Sequence, residues 1–211
     1  MPITDKKIEE VAQFCNEHLA LRQPILSKSY YYQSLPICVI DAVFSIGVRY
    51  SGVEKVVDNF CSYLKIKKFR DLGSNFPEAK DQYSVNEFIS DYSRIDPADL
   101  ANNVFKSRQR TSPRGGILKA DAAKQWIHVL SKYSIDNFQD LNTKVGLVSG
   151  ELDGFEQDIR LIRGQGSGIS LGYFYMLAGR DNFVKPDRMI MRFLRNRFGN
   201  DRILVADAAN L

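Results

Sequence analysis

Apolar residues recur at helical spacing along most of the chain, and nowhere does a strict alternation last long enough to make a strand. Ile8, Val11, Cys15 and Leu19 mark one stripe, Val53, Val56, Val57, Phe60 and Leu64 a second, and Leu118, Ala122, Trp126, Leu130 and Tyr133 a third. Helix starts are punctuated as well. Ser51 with Glu54, and Ser84 with Glu87, have the spacing of a capping box, while Asp96 and Pro97 place a capping acid before a proline suited to the first helical position. The pattern predicts an all-α protein of helices roughly 8 to 18 residues long joined by short polar loops. The stretch SLPICVIDAVFSIGV (34–48) is predicted to be the most buried helix, with Asp41 as its one polar member, a position where such a residue ordinarily satisfies a neighbouring backbone group. No repeat, low-complexity tract or Pro/Gly/Ser linker divides the chain, so any two lobes share an interface rather than a tether.

Length and charge narrow this only slightly. The 211 residues suffice for one sizeable core or two small joined lobes, and a net charge of +4 fits a polyanionic partner without demanding one. Cys15, Cys38 and Cys61 are widely separated and form no C-x-x-C, so neither a disulfide framework nor a zinc site is expected, and they read as buried thiols of a reducing compartment. A charged N-terminus and the lack of any apolar run of membrane-spanning length give the expectation of an intracellular protein, cytoplasmic (nucleoid) or nuclear, with no membrane partner.

The candidate chemistry lies in LIRGQGSGISLGYFYMLAG (161–179) and in KPDRMIMRFL (185–194). Phe155, Ile159 and Ile162 line one side of a short helix, residues 163–168 form a tight turn with Gly164, Gly166 and Gly168 at alternate positions, and 170–178 form a second helix. This is a helix-hairpin-helix pattern. The backbone N–H groups of Gly164, Gln165, Gly166, Ser167 and Gly168 can hold a DNA phosphate, which positions a protein on duplex DNA without reading sequence. A glycine-rich connector between packed helices would show the same spacing.

The order of an apolar residue, two alternate glycines, a helix, and then an acid opening another helix resembles the helix-hairpin-helix (HhH-GPD) superfamily of DNA glycosylases, with its endonuclease III-like fold. Ile162–Gly166, IRGQG, matches the family's LPGVG, with Arg163 at the usual proline, and PDRMI falls where the family has its VDTHV-like segment. FSIGVRYSGVEKVVDNF (44–60) is similar to the family's early LLSAQ helix and the helix after it. The resemblance implies a six-helix barrel lobe over 35–180 that contains the hairpin at about 155–178, and a second lobe from 1–34 with 181–211. The chain after Asp187 is shorter than the family usually carries, which leaves that second lobe incomplete by the family's measure.

By the same resemblance Asp187 is the catalytic carboxylate, stabilising positive charge on the sugar as the base departs; its alternative is simply to cap the following helix. Bifunctional relatives carry a lysine two residues after the second hairpin glycine. Gly168 stands there, so a monofunctional glycosylase is expected unless Lys185 has taken over. No iron–sulfur cluster is expected, since no cysteine follows Cys61; at most a monovalent cation would occupy the hairpin. Double-stranded DNA is the expected partner and a monomer the expected state. Val48, Arg49 and Tyr50 are candidates for the wedge that opens the stack, and Tyr30, Tyr31, Tyr32 and Trp126 for the base pocket, although tyrosines ahead of a buried helix ordinarily just pack. Lys106, Arg108, Arg110 and Arg114 gather in one loop attractive to phosphate, yet charge runs are usually solvated surface. Two alternatives remain open: a non-catalytic helix-hairpin-helix DNA-binding protein, and a plain helical interaction protein.

Overall fold

The computed structural model describes residues 4–19, 27, 30–71, 76–146, 151–180, 183, 185 and 188–198. Their helices are α1 (Asp5–His18), α2 (Leu35–Phe44), α3 (Tyr50–Leu64), α4 (Val85–Tyr92), α5 (Pro97–Asp99), α6 (Lys119–Lys132), α7 (Phe138–Gly146), α8 (Glu151–Leu161), α9 (Ile169–Leu177) and α10 (Arg188–Phe198). Among these residues the only β pairings are two isolated bridges, Tyr32 with Phe69 and Arg110 with Leu118. The chain is all-α.

The local signals held where they were self-contained. The capping box at α4 is complete, with the Glu87 N–H donating to Ser84 Oγ at 3.1 Å and the Ser84 N–H donating to the Glu87 carboxylate at 2.6 Å. Asp96 caps α5 through the Ala98 N–H at 2.7 Å. This helix then widens at once into a π turn over Leu100–Val104, closed by the Phe105 N–H on Leu100 O at 3.1 Å. The expected box at Ser51 and Glu54 does not form. Arg49 takes the N-cap position without a side-chain cap, and the helix starts at Tyr50, so Ser51 is already inside it.

Helix α2 is apolar all round because it is enclosed all round, as a helix without a polar face must be. Each of its ten residues is buried, and it packs against α3, α6 and α9. Phe44 meets Phe105 at 5.3 Å between ring centroids, and Trp126 of α6 meets Phe174 of α9 at 5.5 Å. Burying side chains of this size contributes about 1.5–3 kcal/mol each, so the α2–α6–α9 contact is what fixes the hairpin helix. A smaller, separate cluster joins α1 to α10 through Val11, Met191 and Leu194, with Phe14 against Phe193 at 4.9 Å and Arg197 paired to Glu10 at 3.3 Å. Ile8 and Leu19, expected on the α1 stripe, are exposed. Cys38 and Cys61 are buried free thiols, and Cys15 is half-buried.

Candidate functional site

The hairpin forms where the glycines predict it. Helix α8 turns Phe155 and Ile159 inward, Ile162 follows them, and the turn closes through the Gln165 N–H on Ile162 O at 2.9 Å and the Gly168 N–H on Gln165 O at 3.0 Å. The three glycines are there for different reasons. Gly164, at φ 94°, and Gly168, at φ 72°, occupy the left-handed region that glycine enters freely. A Cβ at Gly164 would also strike Thr111, and one at Gly168 would strike the Arg160 guanidinium. Gly166 has neither reason. It is exposed, it lies outside the left-handed region, and the nearest atom to an added Cβ is Arg160 O at 3.6 Å, an ordinary contact. Nothing inside the fold requires glycine there. Among the described residues the N–H groups of Gly166 and Ser167 have no acceptor, so they stand as bare donors on an exposed backbone that an anion can approach closely.

The Gln165 side chain points inward. It is buried, its Oε1 accepts the Ser170 hydroxyl, and its Nε2 has no acceptor among the described residues. Gln165 therefore ties the turn to the first turn of α9, and any phosphate contact it makes is through its main chain.

Helix α9 carries a second feature toward α2. Asp41 is fully buried and accepts the Tyr32 hydroxyl on Oδ2 at 2.7 Å and the Tyr173 hydroxyl on the same oxygen at 3.3 Å. Its partners are thus two side-chain hydroxyls, not the backbone group expected for a polar residue in this helix. Its other oxygen, Oδ1, is buried with no partner among the described residues. Burial pushes the carboxyl up to about 6, against the hydrogen bond from Tyr32, the charge of Lys185 and the hydrogen bond from Tyr173, which all favour ionisation. Burial, with Asp41 next, raises both tyrosines as well. Tyr50, exposed at the start of α3, comes within hydrogen-bonding reach of the Tyr32 hydroxyl. A chain of hydroxyls thus runs from the buried acid toward the surface. The Lys185 Nζ rests over the Tyr173 ring at 3.8 Å from its centroid. A carboxyl titrating near neutrality can give up or take a proton at ordinary pH.

Of the residues singled out from sequence, Tyr32 bonds this acid, and Tyr30 and Tyr50 lie close enough to Tyr32 or Tyr173 to influence their titration. Tyr31 faces elsewhere, with the Arg70 guanidinium 5.5 Å from its ring. Arg70 is itself buried between Phe76 and Phe138, at 4.4 and 5.3 Å, a cation held by ring faces. Arg49 is exposed beside Tyr50, and Val48 packs on the core. Trp126 is wholly enclosed in the core, far from any surface role. Asp187 lies outside the described residues; α10 begins at the residue after it.

Sequence reasoning did not single out Lys119. Its buried ammonium donates to Phe44 O at 2.8 Å, Ile46 O at 2.7 Å and Gln109 Oε1 at 3.3 Å, closing the C-terminal end of α2 where the helix dipole is negative. Burial, and then the charge of Lys185, lowers it to about 8. All three of its protons are engaged, so it fixes the loop that leads to Tyr50 rather than serving as a free nucleophile. Among the described residues, no group of three or more His, Cys, Asp or Glu is placed to hold a metal ion, and no helix is long and apolar enough to cross a membrane.

Residues 9–211 match the family model of DUF8548, a domain of unknown function, and the chain belongs to that family. No curated protein and no solved structure matches it.

Proposed function

We propose that this DUF8548 member is a DNA glycosylase of the helix-hairpin-helix class, hydrolysing the N-glycosidic bond of a damaged or modified base flipped out of duplex DNA, in repair or in defence against modified DNA. The observation that supports it best is Gly166, an exposed glycine that the fold does not need, carrying free backbone donors at the tip of a helical hairpin. In this reading the hairpin holds the backbone beside the target, and the α1–α10 cluster belongs to a second lobe across a cleft.

Base departure leaves positive charge on the sugar, which the carboxylate of Asp187 stabilises while orienting the attacking water. The charge of Lys185 acts on Asp41, and its ammonium rests over the Tyr173 ring. As the C–N bond breaks and its electron pair leaves with the base, the base nitrogen takes a proton from solvent, while Asp41 orients Tyr32 and Tyr173 by accepting hydrogen bonds from their hydroxyls. Water adds to the sugar carbon and yields its proton to Asp187. With Gly168 in place of a lysine, no Schiff base forms and an abasic site is the product.

Incubation with duplexes carrying a panel of modified bases, followed by alkali, tests this. Strand breaks are expected with at least one substrate, and Asp187→Asn should slow release by on the order of a hundredfold or more while duplex binding survives. Salt-dependent duplex binding without breakage on any substrate would establish the non-catalytic DNA-binding alternative instead, and full activity in the Asn variant would end the role of Asp187.

A further inference from the structure

The loop of basic residues before α6 is built onto the hairpin. Its ends are pinned by the Thr111 N–H on Ile117 O at 2.9 Å and the Lys119 N–H on Gln109 O at 2.8 Å, and its tip turns through Gly115 at φ 68°. Gly116 could carry no side chain, because a Cβ would strike the Ser112 backbone. Arg110 donates to Gly116 O at 2.6 Å across this turn. From the hairpin, Arg163 donates to Gly115 O at 3.0 Å, and Thr111 fills the space that a Cβ on Gly164 would take. A charge run that was only solvated surface would not need this docking.

The charges that the docking gathers are uncompensated. Arg110, Arg114, Arg160 and Arg163 are all exposed, and among the described residues none of them lies within ion-pair distance of a carboxylate. Lys67, Lys68, Lys80, Lys132 and Arg197 each have an acidic partner, while Arg49, Lys55, Lys65 and Arg94 also lack one among the described residues, so what sets these four arginines apart is their gathering on one docked frame. Arg160 lies against Gly168, and Arg163 and Arg110 each commit a nitrogen to a carbonyl while keeping further N–H donors outward. Four like charges held together on a rigid frame repel one another. A planar guanidinium fork, in turn, matches phosphate oxygens.

We infer that the 110–116 loop and the 163–168 turn form one two-part phosphate clamp on duplex DNA, in which the hairpin N–H groups hold one backbone phosphate and Arg114, with Arg110, Arg160 and Arg163, holds its neighbours. The inference rests on the DNA-binding half of the function proposed above. It adds a second contact surface, about fifty residues earlier in the chain, that the hairpin alone does not supply.

The test measures affinity of the full chain for an undamaged duplex over a series of salt concentrations, for the wild type and for Arg114→Ala, Arg163→Ala, Gly166→Leu and Lys80→Ala. Arg114 makes no hydrogen bond through its side chain among the described residues, so its variant should melt with the wild type. Losing one phosphate contact should lower the magnitude of the log–log salt slope by about 0.9 and weaken binding about eightfold at 0.1 M salt. Arg163→Ala, which also frees the loop, should lose at least as much, and Lys80→Ala, already paired with Glu78, should lose nothing. If Gly166→Leu weakens binding while both arginine variants keep the wild-type affinity and slope, the clamp is refuted and the hairpin reading stands. A wild type with no salt-dependent duplex affinity would overturn both together.

Discussion

Replacing Asp41 with asparagine offers a test of the buried acid that needs no substrate. The folded carboxyl titrates at about 6 against 3.8 when unfolded, and the raised value means that the folded state holds the proton more tightly. The stabilising contribution of that proton is fully present below pH 3.8 and is lost as pH rises through 6. Each pH unit between the two titrations is worth about 1.4 kcal/mol, so the loss reaches about 3 kcal/mol above pH 6. Asparagine keeps an oxygen for the Tyr32 and Tyr173 hydroxyls but does not titrate. Its amide nitrogen would meet the region of Oδ1, where no partner stands among the described residues, at a cost of about 1–3 kcal/mol that is the same at every pH.

The informative quantity is therefore the difference in unfolding free energy between variant and wild type, not either value alone. Urea titrations from about pH 4 to about pH 8 should show that difference moving in favour of the variant by about 2.5 kcal/mol, because part of the loss has already occurred by about pH 4. The constant amide cost shifts the curve without changing its shape. A flat difference would mean that the carboxyl titrates as in water, and the argument from its burial would be wrong. A difference moving the other way would mean that Lys185, Lys68 and the two tyrosines outweigh desolvation, so that the buried group is a stabilised carboxylate with no proton to give.

Two further outcomes are expected. Lys185→Gln removes a charge that favours ionised Asp41, so the pH-dependent loss of stability should extend to higher pH than in the wild type, and an unchanged profile would remove Lys185 from the acid's surroundings. With a duplex carrying a preformed abasic site, borohydride should trap no covalent adduct, because Gly168 stands at the lysine position with Arg160 against it; a trapped adduct would make Lys185 the nucleophile to test next.

What could be read from the sequence was what short stretches determine by themselves. The burial of α2 follows from ten residues with one polar member, the Ser84–Glu87 box from two residues three apart, and the hairpin from alternate glycines between two apolar stripes. Ser51 and Glu54 had the same local spacing as a true box and failed because the helix begins one residue earlier, at Tyr50, whose hydroxyl is drawn to Tyr32 on a different segment. The partners of Asp41 come from residues 9 and 132 positions away, and the contact between Arg163 and Gly115 spans 48. Periodicity carries no information about such pairings, which are chosen by how helices pack.

The same distinction explains why the hairpin glycines could be found in the sequence but not ranked. All three have one spacing, and spacing alone makes them equivalent. Only the folded chain separates Gly164 and Gly168, which the left-handed backbone would require in a protein that never met DNA, from Gly166, which nothing internal requires. A residue whose identity the fold does not need, on a surface whose donors the fold does not use, is best explained by something outside the fold. Beside it lie four arginines without acidic partners among the described residues, and the phosphate clamp proposed above would answer both the free N–H groups and the guanidinium groups. Asp41 extends the argument inward, since an acid with one oxygen unpartnered among the described residues lowers stability at neutral pH and sits on the helix packed directly against α9 of the same hairpin.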